Sequence, residues 1–519
     1  MTMRASGIGC FLAAILAGCA PLAPVDRPSG ATVAETPSRA LAVDGRYISW
    51  REHRIDDEGV NGGVPVRGGD GLVEADIDRD GRLDIVSVHE DSNHLRIAFG
   101  TSDPDRWILA SVAEGDVARA IEDVAAGDID GDGWIDLVTA SEEAHLAFFR
   151  NPGKRARDGR WPFLIPEITR GRGSWLRTFI ADVDGDGRSD VLGANKGASD
   201  IVDPAAPRAD RSTSLFTIAG DPLDDASWRE QVLLRRDLPN TAMPVDIDGD
   251  GDIDILAAAR LAQQAFLLVN TGTGSNGKVG IEAHPIEIDV GSSPCTVVTS
   301  AFQSDFADMD GNGRLDLVVG VIEDCGDPRA PNGLPALGWL RQPTAPDMPW
   351  RYHRIGDILP DIPIGIAIAD FDGDGDPDVV TGGYSGLNII QGGYSDAARD
   401  FDSPNVTPSS TVGRLAWFAN PGTGGEGWVR HDISRRVRGM YDAFIARDMD
   451  GDGDPDLVTT RGNSGAFDGV IWLEQIRHPH PARAFTPARP RESAALPLPP
   501  PDWLDRYGTA NTLTAPNKQ

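Results

Sequence analysis

The chain has 519 residues and a formal net charge of −32 at pH 7, with an isoelectric point of about 4.5. Binding to a phosphate backbone needs a basic face, so this charge argues against nucleic acid as a partner. The 60 glycines and 38 prolines lie in clusters between apolar segments, which is typical of a β-protein with many turns rather than of a disordered chain.

The first 18 residues have the pattern of a targeting segment. Arg4 precedes an apolar run from Ile8 to Leu16 that is too short to span a membrane. The sequence Leu16-Ala17-Gly18-Cys19 resembles the lipobox of bacterial lipoproteins, which implies cleavage before Cys19 and lipidation of that cysteine. An ordinary signal peptide that ends near Ala20 is the alternative.

The expected location follows from the same resemblance. Ala20 at the second mature position, in place of Asp, resembles the pattern of lipoproteins sent to the outer membrane, and several acyl chains on Cys19 would give a stable anchor.

Residues 20–45 are rich in Pro, Ala, Ser and Thr without an apolar period, which predicts a flexible tether. The expected divisions are a signal peptide (1–18), a tether (19–45), a repeat domain (46–477) and a Pro-rich tail (478–519) that does not readily add a strand.

A nine-residue pattern, D-x-D-x-D-G-x-x-D followed by a short apolar run, recurs seven times in the repeat domain. Neighbouring copies start 52 to 78 residues apart, which indicates one supersecondary unit used repeatedly. The copies start at Asp76, Asp128, Asp182, Asp246, Asp308, Asp370 and Asp448.

The spacing of the acidic residues predicts metal-binding loops. Carboxylates at positions 1, 3 and 5 of a tight loop converge on one point, and the Asp at position 9 closes the shell. An all-oxygen set of this kind suits Ca²⁺ before Mg²⁺, and Gly at position 6 allows the sharp turn. A plain Asp-Gly hairpin turn is the alternative for a single copy, but 27 of the 28 ligand positions are Asp and the other is Asn312.

We therefore expect up to seven Ca²⁺ ions. Their predicted ligands are Asp76, Asp78, Asp80 and Asp84; Asp128, Asp130, Asp132 and Asp136; Asp182, Asp184, Asp186 and Asp190; Asp246, Asp248, Asp250 and Asp254; Asp308, Asp310, Asn312 and Asp316; Asp370, Asp372, Asp374 and Asp378; and Asp448, Asp450, Asp452 and Asp456.

This repeat resembles the FG-GAP/VCBS family, whose calcium loops also occur in the β-propeller of integrin α subunits. The resemblance covers roughly Tyr47 to Gln475 and implies a propeller with calcium loops. The first copy departs from the pattern with Arg79 where the others have Gly. Members of this family range from adhesins to lyases, so the fold does not fix the function.

Two further patterns recur around each loop. Segments such as Trp50–Ile55 alternate apolar and polar residues as half-buried strands do, and segments such as Trp417–Asn420 end in turns. Each unit therefore has an apolar strand a before the loop, strand b after it, then strands c and d. Radial repetition predicts an all-β, seven-bladed propeller of four-stranded antiparallel blades. Because the chain begins with a d strand and its last unit stops at c, the N-terminal strand is expected to close the ring.

The strand order places all seven loops on one face of the ring, and the b–c insertions and d–a connections on the other. Arginines with aromatic residues on that second face suit an acidic or carbohydrate ligand; solvated basic loops that balance an acidic protein are the alternative. The candidates for ligand contact are Arg172, Trp175, Arg177, Arg235, Arg236, Arg435, Arg436, Arg438 and Tyr441.

Two cysteines remain after Cys10 leaves with the signal and Cys19 is lipidated. Cys295 precedes strand a of blade five and Cys325 follows its strand b. Both lie on the same face of one blade, and the export compartment is oxidising, so we expect a disulfide between them.

The sequence contains no Ser-His-Asp order, Cys-His pair, P-loop or dinucleotide fingerprint. The leading hypothesis is a monomeric, non-enzymatic binding or adhesion module whose partner is a glycan or an envelope or extracellular protein, with membrane contact only through the lipid. A carbohydrate-active lyase or dehydratase on the same propeller is the second hypothesis, in which Tyr441 and the neighbouring arginines would act. A purely structural envelope protein is the third.

The lipobox makes a direct prediction about fractionation. Replacing Cys19 by Ser removes the sulfur that carries the lipid, so the Cys19→Ser protein is expected in the soluble periplasmic or secreted fraction instead of the membrane fraction. Immunoblotting of separated cell fractions measures this, and a variant that still sediments with membranes contradicts the assignment.

Overall fold

Several segments assigned from the sequence lie outside the described residues. They are residues 1–36, which include Cys19, the ligand-face candidates Arg435, Arg436 and Arg438, and the tail from residue 490 onward. The computed structural model describes residues 37–142, 144–197, 211–330, 332–359, 361–384, 415–422, 427–434, 440–462 and 467–489.

Seven small antiparallel sheets form a ring, which confirms the predicted seven-bladed β-propeller. In each blade strand a lies innermost, where it contacts the a strands of neighbouring blades. The described residues of the b strands are buried, as at Asp136–Ser141, because the blades on either side cover both of their faces; the end of strand b in blade five, which is partly exposed, is the exception. Short 3-10 helices lie at Gly115–Ala118, Gly153–Asp158, Glu167–Thr169 and Asp225–Ser227.

Blades one to four each contain four consecutive strands in the order a, b, c, d. Their bounds are Gly69–Ala75, Asp84–His89, His94–Phe99 and Ile108–Glu114 in blade one; Ile121–Gly127, Asp136–Ser141, Leu146–Phe149 and Phe163–Leu164 in blade two; Ser174–Ala181, Asp190–Gly197, Ser212–Ile218 and Trp228–Leu234 in blade three; and Pro239–Val245, Asp254–Ala259, Gln264–Thr273 and Val279–Pro285 in blade four.

Blade five departs from the regular unit. Its strand a is split into Thr296–Val298 and Ser304–Ala307, which both pair with strand b. A short outer strand, Ile288–Asp289, runs parallel to strand d. Strands b, c and d of blade five are Asp316–Asp324, Leu334–Arg341 and Trp350–Gly356, and blade six contains Ile362–Ala369, Asp378–Tyr384, Leu415–Ala419 and Val429–Ser434.

The expected disulfide is confirmed in blade five. Cys295 and Cys325 are bonded, with their Cα atoms 4.1 Å apart. The bond joins the segment before the split strand a to the loop after strand b, so it fixes the most irregular part of the ring.

Blade seven is completed by the N-terminal strand, as predicted. Its strands a, b and c are Phe444–Arg447, Asp456–Arg461 and Gly469–His478, and its strand d is Tyr47–Asp56. Strands c and d pair antiparallel along nearly their whole length. The ring is therefore closed by residues from both ends of the repeat domain.

The segments that flank the repeat domain also pack on blade seven. The sequence places residues 37–45 in the flexible tether, whereas Ala40 and Ala42 are buried in the cluster between blades six and seven. The expectation that the tail does not add a strand is corrected at Phe485–Thr486, which pairs in parallel with strand d. Burial of the Phe485 side chain explains why this short strand forms, and it covers the outer edge of the sheet.

The hydrophobic core is divided among the seven interfaces between blades. Each of seven clusters in the described part of the chain combines residues of two neighbouring blades. In three blades a strand-c tryptophan at such an interface packs against the ring of a strand-d histidine, so these histidines contribute to the packing of the blade. The pairs are His53–Trp472 and His353–Trp339, which are stacked, and His431–Trp417, which is tilted by 30°; their ring centroids are 4.1, 4.2 and 4.5 Å apart.

Ring closure can be tested at Trp50, a buried residue of the N-terminal strand that contacts Phe371 of blade six. Trp50→Ala is expected to lower the free energy of unfolding by about 3–5 kcal/mol, because it leaves a cavity at the closing interface. The matched control is Arg51→Ala, whose exposed ion pair with Glu474 is expected to contribute less than about 1 kcal/mol. Denaturant titration followed by tryptophan fluorescence compares them, and equal effects would contradict this role of the strand.

Candidate metal centres and the central cavity

The seven acidic loops share one local geometry, which loop four (Asp246–Asp254) illustrates. The carboxylate of Asp246 accepts hydrogen bonds from the backbone N–H groups of Gly249 and Gly251, at 2.8 and 3.2 Å. Asp248 accepts from the N–H of Asp250 at 3.2 Å. Gly251 has φ +94°, which side chains with a Cβ rarely adopt. These bonds turn the backbone around the first carboxylate and bring the other acidic side chains toward it.

The Asp at position 9 ties each loop to the sheet. In loop four, Asp254 is buried, and its two oxygens accept from the N–H groups of Ile247 and Asn270, at 3.2 and 2.7 Å. Burial raises the pKa of this carboxyl to about 6, and that of Asp378 in loop six to about 8. A neighbouring cation would favour the ionised form of such a group, so the chemistry of the position fits a metal ligand.

The predicted ligands converge as the spacing implies. In each of the loops of blades one to four, oxygens of three carboxylates lie within 4.8 Å of one another. All seven loops lie on one face of the ring, which we call the loop face. The donor set is made of carboxylate oxygens, which are the ligands of hard cations such as Ca²⁺.

In some of these loops an arginine forms ion pairs with the predicted metal ligands, and in others none of the described arginines does. In loop one (Asp76–Asp84), Arg157 contacts Asp78 and also bonds Asp80 at 2.9 Å. In loop four, no Lys or Arg of the described residues forms an ion pair with a predicted ligand. A guanidinium between two carboxylates competes with a metal ion for the same charge, so loop four is the better metal candidate of the two.

A side-chain amide recurs at the end of strand c. From the sequence it is expected only to form a turn, but it has a structural role on the loop face. Asn420, at the end of strand c in blade six, donates its side-chain N–H groups to Pro377 O in its own loop and to Met309 O in the loop of blade five, at 3.0 and 3.3 Å. The repeated Asn or Gln at the end of strand c is the sequence pattern from which this link between blades could have been predicted. Asn151, Asn270 and Gln342 make the equivalent bond to the preceding blade.

The opposite face, which we call the cavity face, holds a central cavity of about 590 Å³. Its wall comes from the starts of the a strands and from b–c loops of several blades. Apolar side chains such as Phe302 and Ile364 line one part of it, and the carboxylates of Asp70 and Glu122 line another. Burial and the charges of nearby carboxylates raise the pKa of Asp70 well above its usual value, and burial also raises that of Glu122, to about 6.

A buried arginine crosses the centre of the ring beside this cavity. Arg177, on strand a of blade three, pairs with Asp442 of blade seven at 3.0 Å and with Asp123 of blade two at 3.3 Å. It also lies over the Phe302 ring of blade five, 4.8 Å from the centroid, and Gln303 donates to the same Asp442. Although burial by itself lowers it, these carboxylates raise the pKa of Arg177. Four blades therefore meet at one guanidinium.

The described ligand-face candidates do not form one exposed cluster. Trp175 and Tyr441 are buried, Arg177 is engaged as above, and Arg172 is half-buried in an ion pair with Glu230. Arg235 and Arg236 are exposed. Contact of this set with a ligand stays a prediction, and the structure adds the carboxylates of the cavity, which no local sequence pattern indicated.

Comparison with protein families supports the repeat assignment. Residues 76–139, 128–193 and 246–319 match the model of the FG-GAP-like repeat. The chain contains FG-GAP-like repeats. The matched stretches cover loops one to five, and loops six and seven share their geometry. The resemblance stated from the sequence is thus confirmed for the repeats and for the propeller.

A comparison with curated proteins finds no match. Among solved structures, the V. cholerae biofilm matrix protein Bap1 aligns over 86% of this chain and 92% of its own, with 12% sequence identity and a TM-score of 0.37. A likeness of this degree carries no inference about function. No helix among the described residues is long and apolar enough to cross a membrane.

The network at Arg177 makes a prediction about stability. Arg177→Met is expected to lower the free energy of unfolding by about 3–5 kcal/mol, because it leaves the buried carboxylates of Asp123 and Asp442 without their counter-charge. Arg447→Met, which removes an exposed pair with Glu74, is the control and is expected to cost less than about 1 kcal/mol. Thermal and urea unfolding compare the two variants, and similar losses would show that the buried network does not hold the blades together.

Proposed function

We propose that this protein is a non-enzymatic binding module of the cell envelope, built on a propeller that calcium stabilises. The observation that carries the proposal is the central cavity of about 590 Å³ on the cavity face, which has the size of a ligand pocket. The seven acidic loops lie on the opposite face, so the proposed calcium loops and the proposed ligand pocket are separated by the thickness of the ring.

The proposed ligand is a glycan or an envelope or extracellular protein. The cavity combines apolar side chains with charged groups, as ligand pockets do. Leu261 stands at its rim with about half of its side chain exposed, where it offers apolar contact to a ligand. We propose that Cys19 carries a lipid that holds the module, as a monomer, at the outer membrane.

The enzymatic alternative is less favoured by the described geometry. In that hypothesis Tyr441 would abstract a proton with nearby arginines as partners, but Tyr441 is fully buried, packed against Phe444 with ring centroids 6.4 Å apart. A general base must come within hydrogen-bond reach of its substrate, which this burial prevents without rearrangement of the blade.

Ligand binding can be tested with the soluble chain that begins at residue 20, applied to an array of acidic and neutral glycans and to immobilised envelope proteins. Retention without new unsaturated products supports a binding module, and products that absorb in the ultraviolet overturn the non-enzymatic proposal. Leu261→Asp is expected to weaken retention at least tenfold. Val429→Asp, at another exposed apolar residue on strand d of blade six, is the control and should bind as the parent does.

The proposed role of calcium predicts a strong effect of metal removal. Ca²⁺ that binds the folded loop and not the unfolded one stabilises by about 2.7 kcal/mol per site at a hundredfold excess over Kd. A chelator is therefore expected to lower the melting temperature by more than about 10 °C, and Mg²⁺ should restore it poorly because it demands a small octahedral shell.

The contribution of one loop can be separated with matched variants. Asp248→Ala combined with Asp250→Ala should remove one site and part of the chelator-dependent shift. Asp252→Ala is the control, because in the proposed site Asp252 provides only its backbone carbonyl. Calorimetric melting with and without chelator measures both, and a melting curve that ignores the chelator would mean that the loops are ordinary turns.

A further inference from the structure

The cavity face carries a second acidic cluster that lies apart from the seven loops. Asp70 comes from strand a of blade one, Glu90 from the b–c loop of the same blade, and Glu122 from strand a of blade two. One carboxylate oxygen from each lies within 4.8 Å of the other two. The three residues are separated by 20 to 52 positions in the sequence and belong to none of the nine-residue repeats.

An independent observation at Asp70 shows that one oxygen atom of this cluster lacks a hydrogen-bond donor in the described part of the chain. Asp70 is 2% exposed and lines the cavity. Its Oδ2 atom is buried and accepts no hydrogen bond from the described residues. A buried carboxylate oxygen without a donor or a cation is costly, whereas the position-9 Asp of the loops has donors for its oxygens.

Three positive charges lie near the cluster, and one of them, Arg260, lines the cavity with its guanidinium 5.3 Å from the centroid of the Phe302 ring. Arg177 pairs with Asp123 and Asp442, and Lys196 contacts Glu142. Within the described ranges, neither Asp70 nor Glu122 forms an ion pair with a lysine or arginine. The cluster therefore holds an excess of negative charge at the inner end of a cavity that is open to solvent.

We propose that Asp70, Glu90 and Glu122 bind a divalent cation of oxygen preference in the central cavity, at a site distinct from the repeat loops. Three carboxylate oxygens from separate segments suit a hard cation such as Ca²⁺ or Mn²⁺. The cation would supply the partner that Oδ2 of Asp70 lacks and would join blade one to blade two. This inference goes beyond the proposed function, because it does not depend on calcium in the loops.

The test counts bound ions per chain by native mass spectrometry of the soluble chain loaded with Ca²⁺. Asp70→Asn, which keeps the shape of the side chain, is expected to bind one ion fewer than the parent. Asp91→Asn is the matched control, because Asp91 is an exposed neighbour of Glu90 that also lines the cavity and loses the same charge. It should bind as many ions as the parent.

Crystals of the unchanged chain soaked in Mn²⁺ provide a measurement that does not depend on the folding of a variant. An anomalous peak between Asp70, Glu90 and Glu122 supports the site. Equal ion counts for Asp70→Asn and the parent, together with no peak, overturn it and would mean that the carboxyls share a proton or hold an organic cation. Asp248→Asn with Asp250→Asn reports on loop four separately, so a failure of the loops and a failure of this site can be told apart.

Discussion

Closure of the ring is the constraint on which the rest of the structure depends. A single blade has two apolar faces and buries neither by itself, so each hydrophobic cluster exists only where two blades meet. The strand Tyr47–Asp56 supplies the last strand of blade seven, and with it the final interface. Because every blade is held between two neighbours, loss of contact at one interface would leave two blades that each lack one of their neighbours.

The two faces are held together by different polar interactions. On the loop face, amides such as Asn420 link the loop of one blade to that of the preceding blade, and the position-9 carboxyls fix each loop to its own sheet. On the cavity face, Arg177 of blade three joins Asp123 of the neighbouring blade two and Asp442 of the distant blade seven. A rigid frame of this kind can carry connecting loops of different lengths on its surface.

The acidity of the chain is concentrated at particular sites. Carboxylates gather in the seven loops and again around Asp70 and Glu122, where their mutual repulsion opposes folding. Arginines relieve part of it, as the exposed Arg157 does in loop one. The arginines expected from the sequence to face an anionic ligand include Arg177, whose charge is used inside the protein. The centre of the cavity face is consequently acidic, and a ligand that enters it meets carboxylates as well as apolar side chains.

The sequence by itself determined the seven-bladed fold, the strand order, the closing strand and the Cys295–Cys325 disulfide. Each of these depends on a local pattern that recurs or on the position of a residue within the repeated unit. Only the tertiary structure brought Arg177 to Asp442, 265 residues away, and Asp70 to Glu122. Those contacts lie at the inner ends of strands from different blades, and their distances are set by the closed ring rather than by the spacing along any one segment. The burial of Tyr441 and the packing of residues 37–45 also follow only from the tertiary structure, because burial depends on neighbours that are remote in the chain.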